Sequence, residues 1–201
     1  MRRRGYDTVK RVLDIAFAVL IGILLLPVMI AIAIAIKVED GARVFFQQER
    51  VGRGGKRFEI AKFRTLADAP AHDPADYLIS SSDPRITRVG AFLRRWSLDE
   101  LPQLWNVLRG EMSIVGPRPT LRYQVDQYDE FQRRRLEVLP GVTGWAQVKG
   151  RNELTWPQRI ELDVWYVDNR SPRIDLEILL RTPLALFRGT YRGATGGWRR
   201  G

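Results

Sequence analysis

The stretch IAFAVLIGILLLPVMIAIAIAI, residues 15–36, decides how this chain folds, because it carries no charged side chain. As a straight helix with a rise of about 1.5 Å per residue, it would be roughly 33 Å long and could cross a bilayer core of about 30 Å. It is too long for the apolar region of a signal peptide, and no small-residue cleavage signature follows it. The sequence therefore predicts a membrane protein.

The flanks of this segment leave two topologies open. A single span with a tolerated proline is the more common arrangement in membrane proteins. However, Pro27 near the middle favours a kink, and the positive-inside tendency favours a cytoplasmic position for both ends. The alternative is therefore a re-entrant helix whose two arms enter and leave one leaflet. The basic flanking residues are Arg2, Arg3, Arg4, Lys10 and Arg11 before the segment, and Lys37, Arg43, Arg50, Arg53, Lys56 and Arg57 after it.

The charge balance of the chain points to an anionic partner. The 201 residues include 33 Lys and Arg against 23 Asp and Glu, a formal net charge of +10. Nucleic acid, anionic lipid and a phosphorylated substrate all fit this charge. The chain has no Cys and a single His72, which argues against disulfides and against a zinc site. Its length predicts one catalytic or binding unit with appendages.

The remainder of the chain reads as a mixture of short strands and helices. Residues 44–52 and 56–66 predict two strands around a glycine turn, and residues 67–83 predict a loop or lid. Val89, Phe92, Leu93 and Trp96 have the spacing of one buried helix face. Five further segments are predicted. A basic helix covers 131–139, with Arg133, Arg134 and Arg135 on a solvated or lipid-facing edge, and a strand-like stretch covers 139–152. Amphipathic helices over 154–167 and 174–187 lie in a membrane interface or in the core, and a flexible basic tail covers 189–201.

Two adjacent carboxylates stand out in WSLDELPQLW, residues 96–105. Ser97 and Glu100 have the spacing of a capping box, which would explain them without any function. Pro102 favours a different helix start, at Asp99, because the proline would then fall in the first turn where no hydrogen bond is lost. Both carboxylates would then lie at the positive end of a helix. Nearer the membrane segment, Asp14 is expected to pair with Arg11 or to anchor the helix at a fixed depth.

Arginines near this pair indicate the kind of chemistry. Arg118 lies between Pro117 and Pro119, so it is either a rigid fork for phosphate oxygens or a solvated turn residue. Arg94 and Arg95 precede the carboxylates. Carboxylates, arginines and a membrane segment, without Cys or paired His, suggest phosphoryl chemistry with a hard cation, for which Mg²⁺ is the natural choice.

These segments together resemble the monotopic phosphoglycosyl transferases, the bacterial sugar transferases that begin glycoconjugate assembly. The matching elements follow the family's order: KRVLDIAFA (10–18), KFRTL (62–66), DPRITRVGAFLRRWSLDELPQLWNVLRGEMSIVGPRP (83–119), PGVTGWAQVKGRN (140–152) and ELDVWYV (161–167). The resemblance implies a membrane-associated α+β fold with a re-entrant N-terminal membrane helix, a small β-hairpin, catalytic helices and amphipathic interfacial helices. The implied domain boundaries are 1–37 for the membrane helix, 38–188 for a cytosolic catalytic domain and 189–201 for the tail.

The resemblance also implies a reaction and its residues. A phosphosugar would pass from a UDP-sugar to undecaprenyl phosphate with release of UMP, as the first membrane step of a bacterial glycoconjugate pathway, through a covalent intermediate on Asp99. Mg²⁺ would lie beside Asp99 and Glu100. Arg94, Arg118, Arg151 and Lys62 map to phosphate or substrate contacts, and Pro27 to the break of the membrane helix, although Leu26 stands where the family commonly has Ser. Glu100 is better suited to a metal-side or positioning role than to that of a base, because a phosphate monoester is already largely ionised near neutral pH.

The expected setting is the cytosolic face of the bacterial inner membrane, with anionic lipids as partners, no nucleic acid, and a homodimer as a further expectation. Two other functions fit the charge of the chain. One is a membrane-anchored nucleic-acid-binding module, and the other is a non-enzymatic scaffold for glycan enzymes. Neither gives the Asp99–Glu100 pair a purpose, and no nucleic-acid-binding signature is present in the sequence.

Overall fold

The computed structural model of the chain describes residues 2–67, 83–150 and 153–188 and has an α+β architecture. Helices dominate, and two small two-stranded sheets complete the fold. The elements are, in chain order, α1 Arg2–Asp40, β1 Phe45–Val51, β2 Arg57–Phe63, α2 Arg88–Trp96, α3 Gln103–Arg109, β3 Ser113–Val115, α4 Arg122–Val125, α5 Glu130–Arg133, β4 Gly141–Thr143, α6 Trp145–Lys149, α7 Trp156–Asn169 and α8 Pro172–Arg188. Residues 68–82 of the predicted lid over 67–83 and the predicted tail over 189–201 lie outside the described residues.

The apolar stretch forms a long helix that continues through Pro27. α1 is 39 residues long and ends at Asp40. It is the one helix among the described residues that is long and apolar enough to cross a membrane, with a mean hydropathy of 3.1 over its most apolar window. Leu20, Ile23 and Leu24 are each about two-thirds exposed in its middle. Such a surface is suited to contact with lipid rather than water.

The N-terminal half of α1 docks on the folded domain through polar side chains. The Asp14 carboxylate is buried and accepts hydrogen bonds from Ser113 Oγ at 2.7 Å and from the backbone N–H of Ile114 at 3.0 Å. Arg11 donates to the carbonyl oxygen of Val107 at 2.6 Å and to that of the next residue. The predicted Arg11–Asp14 pair is therefore wrong. The two side chains meet different parts of the domain, and Lys10 is the cation beside Asp14, at 3.6 Å.

The C-terminal half of α1 docks on the same domain through apolar packing and helix capping. Ile32 and Ile36 are buried in a cluster with Phe63 and Leu93. The Glu39 carboxylate accepts hydrogen bonds from the first backbone N–H groups of α2, at Arg88 and Val89. A carboxylate at a helix N-terminus satisfies unpaired donors and complements the helix dipole. Both ends of the apolar helix are thus fixed to one folded unit.

The predicted hairpin is confirmed. β1 and β2 pair antiparallel with Phe45 opposite Phe63 and Val51 opposite Arg57. The turn requires glycine, because Gly54 and Gly55 have φ values of 67° and 77°. This left-handed region is open to glycine at little cost.

A side-chain amide closes the outer edge of β2. Asn106 of α3 accepts a hydrogen bond from the N–H of Ala61 at 3.0 Å through Oδ1 and donates to the carbonyl oxygen of Glu59 at 2.7 Å through Nδ2. Asn106 also donates to Glu111. This amide replaces a third strand and fixes α3 beside the strand that carries Lys62.

The second sheet holds two chain segments so close together that no side chain fits between their backbones at one position. β3 and β4 run parallel, with Ser113 opposite Gly141 and Val115 opposite Thr143. A Cβ atom at Gly141 would lie 2.1 Å from the backbone nitrogen of Gly116. No side chain fits there, so glycine at this position is a packing requirement.

Burial and secondary structure test the predictions for three parts of the chain. In α2, Leu93 is buried, but Phe92 and Trp96 are exposed, so the predicted single buried face is wrong. The predicted strand-like stretch 139–152 forms, over its described residues 139–150, the short strand β4 and then α6 rather than one strand. Of the two amphipathic helices, α7 is a core helix, whereas α8 buries Ile178 and exposes Leu176, Leu180 and Leu184 along one side.

We expect Asn106→Ala to destabilise the fold markedly, because it leaves two backbone groups of β2 without their partner. The expected loss is about 2–6 kcal/mol in the free energy of unfolding, at about 1–3 kcal/mol for each buried group left unpaired. Thermal unfolding in detergent would measure this loss. Asn169→Ala is the matched control, because its exposed amide makes only a local bond to Trp165 O. Equal melting temperatures for the two variants would contradict the role of Asn106.

Candidate active site

The Asp99–Glu100 pair lies in a tight turn between two helices. Leu98–Glu100 form a 3₁₀ turn, and α3 begins only at Gln103, after Pro102. Ser97 ends α2 with a φ of 54°, and its backbone N–H donates to the carbonyl oxygens of Leu93 and Arg94, whereas its side chain makes no capping hydrogen bond to the turn that follows. Both predicted helix starts, at Ser97 and at Asp99, are therefore wrong. The cause is local: Ser97 adopts the left-handed conformation that terminates α2, and Pro102 takes the cap position of α3, where a missing N–H costs nothing.

Cations from two separate elements converge on Glu100. Lys62 Nζ, from β2, lies 2.8 Å from Glu100 Oε1. Arg118, from the loop after β3, forks onto the same carboxylate, with Nη2 2.6 Å from Oε1 and Nη1 3.4 Å from Oε2. The carboxylate is largely buried, whereas the Arg118 side chain is 48% exposed. Glu100 thus holds two cations at the mouth of the site.

Asp99 has fewer ion-pair partners than Glu100 in the described part of the chain. Among the described residues, its one ion pair is with Lys62, whose Nζ lies 4.0 Å from Asp99 Oδ2. Its side chain is 14% exposed, so it is screened from bulk water but still reachable. Lys62 therefore lies between two carboxylates that differ in how tightly they are held.

The surroundings drive the pKa values of the two carboxyl groups in opposite directions. Burial raises the pKa of Asp99, and the charge of Glu100 adds to the rise, against the opposing cations Lys62, Arg118 and Arg94. Burial also acts against ionised Glu100, but the charges and hydrogen bonds of Arg118 and Lys62 outweigh it and hold the pKa of Glu100 well below its usual range. When the pKa values of two neighbouring carboxyl groups are driven apart, the two groups are suited to different chemical tasks. Glu100 is the permanent anion, and Asp99 is the more basic group.

Arg94 is bound to the segment that follows β2. Its Nε donates to Thr65 Oγ1 at 2.8 Å. α2 approaches this segment so closely that a Cβ atom at Gly90 would lie 2.2 Å from the carbonyl oxygen of Thr65. The glycine brings the last turn of α2, with Arg94, against the end of β2.

The structure thus brings together four of the predicted site residues, Asp99, Glu100, Lys62 and Arg118, and places Arg94 within electrostatic reach of Asp99. Arg151 lies outside the described residues. Pro27 belongs to the apolar middle of α1. Residue patterns missed Thr65, Arg135 and Asp163, whose roles depend on contacts between distant segments.

Arg135 corrects one prediction directly. It was expected on a solvated or lipid-facing edge with its two neighbours, but it is buried and ion-paired with Asp163 of α7. The segment 134–137 forms a 3₁₀ turn after α5, which directs Arg135 inward while Arg134 remains at the surface with Asp168. A run of three arginines gives no indication of which one faces the core.

The acidic side chains fit a magnesium ion only together with substrate phosphates. The described part of the chain contains no group of three or more acidic or His side chains arranged around a metal position. Both oxygens of Glu100 already face Lys62 and Arg118, whereas Asp99 has free coordination capacity. Mg²⁺ is commonly held by one or two carboxylates plus phosphate oxygens, so this donor set is suitable.

Comparison with known proteins places these residues in a family context. The sequence model described as "Bacterial sugar transferase" matches residues 5–189. The chain is 46% identical to the uncharacterized sugar transferase EpsL of Bacillus subtilis, over 86% of this chain and 84% of that protein. It is 37% identical to the exopolysaccharide production protein ExoY of Sinorhizobium fredii, over 90% and 88% of the two chains.

A further relative has a reaction in its name. The UDP-glucose:undecaprenyl-phosphate glucose-1-phosphate transferase of Xanthomonas campestris pv. campestris is 40% identical over 92% of this chain. The chain spans 40% of the length of that relative. These matches favour a sugar transferase over the nucleic-acid-binding module and the scaffold.

We expect the pKa of Asp99 to move in opposite directions when its two neighbours are neutralised. Lys62→Met removes a cation and should raise it, whereas Glu100→Gln removes a like charge and should lower it. Infrared titration of the protonated carboxyl band, assigned by its loss in Asp99→Asn, measures both shifts. Arg122→Met, which removes an exposed cation paired with Asp126, should leave the band in place. Shifts of the same sign in the first two variants would refute this electrostatic description.

Proposed function

The chain belongs to the bacterial sugar transferase family, and we propose that it transfers a sugar phosphate from a UDP-sugar to undecaprenyl phosphate, with release of UMP. The observation that carries this proposal is the asymmetry of the Asp99–Glu100 pair. One carboxylate is ion-paired to Lys62 and Arg118, and the other is screened from water and has an elevated pKa. A screened carboxylate that is only loosely held by cations is available as a nucleophile, a role that Asp takes in other covalent phosphoryl transfers.

In the first step, a carboxylate oxygen of Asp99 attacks the phosphorus atom that bears the sugar. A new O–P bond forms, the P–O bond to UMP breaks, and UMP leaves with the bonding electron pair. The sugar phosphate is then attached to Asp99 as an acyl phosphate. Arg118 and Arg94 lie at the site to stabilise the negative charge on the transferred group, as arginines do in other phosphoryl transfers.

In the second step, a phosphate oxygen of undecaprenyl phosphate attacks the same phosphorus atom. The acyl phosphate bond breaks, the Asp99 carboxylate is regenerated, and the product is a lipid-linked diphosphate sugar. No general base is required, because the attacking phosphate is already largely ionised near neutral pH. Glu100 acts instead as the anion that holds Lys62 and Arg118 in place, and its lowered pKa keeps it charged.

Mg²⁺ is the proposed cofactor. Asp99 and Glu100 are its predicted ligands, and of the two Asp99 has the free oxygen atoms, whereas Glu100 would have to exchange a contact with Lys62 or Arg118. When bound, the ion would neutralise part of the charge of the donor diphosphate.

The proposed setting is one leaflet of a membrane, with α1 as a re-entrant helix. Its N-terminal half is bound through Asp14 and its C-terminal half through Ile36 and Glu39, all to the same folded domain. A helix whose two ends are attached to one domain leaves both of them on the same side of the bilayer. The apolar middle, with Pro27, would then enter the leaflet, and the exposed leucines of α8 would lie in the interface.

The basic residues on both sides of the apolar stretch 15–36 support the cytosolic face of the bacterial inner membrane and attraction to anionic lipids. This location brings the site to the depth of the phosphate of a polyprenyl acceptor. A water-soluble nucleotide sugar would approach the same site from the cytosol.

A covalent capture experiment tests the reaction. The chain is mixed with Mg²⁺ and a UDP-sugar labelled at the β-phosphate, without lipid acceptor, and the protein is separated under denaturing conditions. We expect label on the native chain and none on Asp99→Asn. Asp126→Asn, which removes an exposed carboxylate paired with Arg122, is the control that should retain the label. Turnover without any bound label, retained in Asp99→Asn, would exclude the covalent route.

A labelling experiment tests the topology, made simple by the absence of Cys. Gly5→Cys has open space around its Cβ position, and Val38→Cys replaces a side chain that is 79% exposed. Both cysteines should resist a membrane-impermeant maleimide in intact spheroplasts and react in inverted membrane vesicles. Reaction of the two from opposite sides would establish a spanning helix instead.

A further inference from the structure

The loop that carries Arg118 is held by hydrogen bonds on both sides of that residue. Pro117 and Pro119 restrict the backbone but donate no hydrogen bond. The loop is fixed instead by its other backbone groups. These bonds run from Gly116 N to Thr143 O at 2.9 Å, from Gly141 N to Pro117 O at 2.8 Å and from Val51 N to Thr120 O at 2.9 Å.

The carbonyl oxygen of Arg118 itself is bound by a buried arginine. Arg135 Nη2 donates to it at 2.9 Å, and Nη1 donates to the hydroxyl of Tyr128 at 2.7 Å. The same guanidinium is ion-paired with the Asp163 carboxylate, and the rings of Tyr128 and Trp156 each lie 5.7 Å from it. One planar fork thus joins α7, the α4–α5 connection and the active-site loop.

Stability alone does not account for a charged pair at this position. Arg135 and Asp163 are both about 4% exposed or less, and each buried ion costs several kcal/mol of desolvation. Burial raises the pKa of Asp163 to about 6, even against the favourable charge of Arg135. Replacing such pairs by apolar residues is often neutral or stabilising. The fork geometry offers what an apolar pair would lack, which is a directed donor to the Arg118 carbonyl.

We propose that Arg135 and Asp163 are positioning residues, which fix the backbone of Arg118 so that its guanidinium meets Glu100 and the phosphates of the substrate. The catalytic consequence rests on the proposed function, whereas the positioning itself concerns the protein alone. Arg135 supplies the donor, and Asp163 keeps the buried guanidinium compensated and in its plane. A displacement of a catalytic group by about 1 Å costs on the order of 100-fold in rate, so the effect on transfer should be large.

The substrate-free test is hydrogen exchange of the loop. Asp163→Asn retains the shape of the side chain and removes its charge. We expect faster exchange in a peptide covering residues 113–122, with the β1–β2 hairpin unchanged. Asp168→Asn is the matched control, because it lies on the same helix and breaks the exposed pair with Arg134. Equal exchange of the loop in both variants, or a rise spread evenly over the protein, would overturn the proposal.

The activity test is a double-mutant cycle with Arg118→Met. Asp163→Asn should lower kcat/KM by about 10- to 100-fold in the native background and by less than about threefold in the Arg118→Met background, because it acts through Arg118. A purely structural role predicts the same fall in both backgrounds and would overturn the assignment. Should Asp163→Asn fail to fold, Tyr128→Phe removes one acceptor of Arg135 without a charge change and should show the same pattern with a smaller fall.

The two tests separate the two claims. If the native chain turns over no UDP-sugar, the proposed function fails, while the exchange experiment still decides whether Arg135 and Asp163 hold the loop. If turnover is present and the loop exchanges alike in Asp163→Asn and Asp168→Asn, the positioning claim fails alone.

Discussion

The buried carboxylate of Asp14 is the interaction on which the rest of the structure depends. A charged group at the edge of the apolar stretch 15–36 must find hydrogen-bond donors when it leaves water. It finds them in Ser113 and Ile114, so the membrane helix is tied to β3. The active-site loop begins at Gly116, directly after this strand. The attachment of α1 to the domain and the position of Arg118 therefore depend on the same short segment.

In the proposed function, this connection lets a small domain bind two substrates of opposite solubility, a lipid phosphate and a nucleotide sugar. Lys62 arrives from a hairpin, Arg118 from the loop after β3, and the carboxylates from a turn between α2 and α3. Each of these segments also contacts α1 or lies next to a segment that does. In the proposed function, this attachment to α1 holds the polar site at the level of the membrane surface, where a lipid phosphate and a nucleotide sugar both reach one carboxylate. Glu100 and Asp99 differ because Lys62 and Arg118 both bind Glu100 closely, whereas the one ion-pair partner of Asp99 among the described residues is the more distant Lys62.

Much of this could be predicted from the sequence because it depends on local pattern. The hairpin followed from two alternating segments around glycines, and α7 and α8 from their periodicity. Predictions of features that depend on tertiary contacts were wrong. The Ser97 capping box had the right spacing, but the left-handed Ser97 closes the preceding helix instead. Phe92 and Trp96 have the sequence spacing of a buried helix face, yet both side chains are exposed. Arg135 has the sequence context of a surface residue, and its burial depends on the ion pair with Asp163 of α7.

The central claim is that Asp99 carries the sugar phosphate between donor and acceptor, and one exchange measurement tests it most directly. Labelled UMP is incubated with unlabelled UDP-sugar, Mg²⁺ and the chain, in the complete absence of undecaprenyl phosphate. A covalent intermediate predicts that label appears in the UDP-sugar, since the first step is reversible without an acceptor, and that Asp99→Asn abolishes this exchange. Exchange that occurs only when the lipid acceptor is present would contradict the account and would indicate direct transfer between the two substrates.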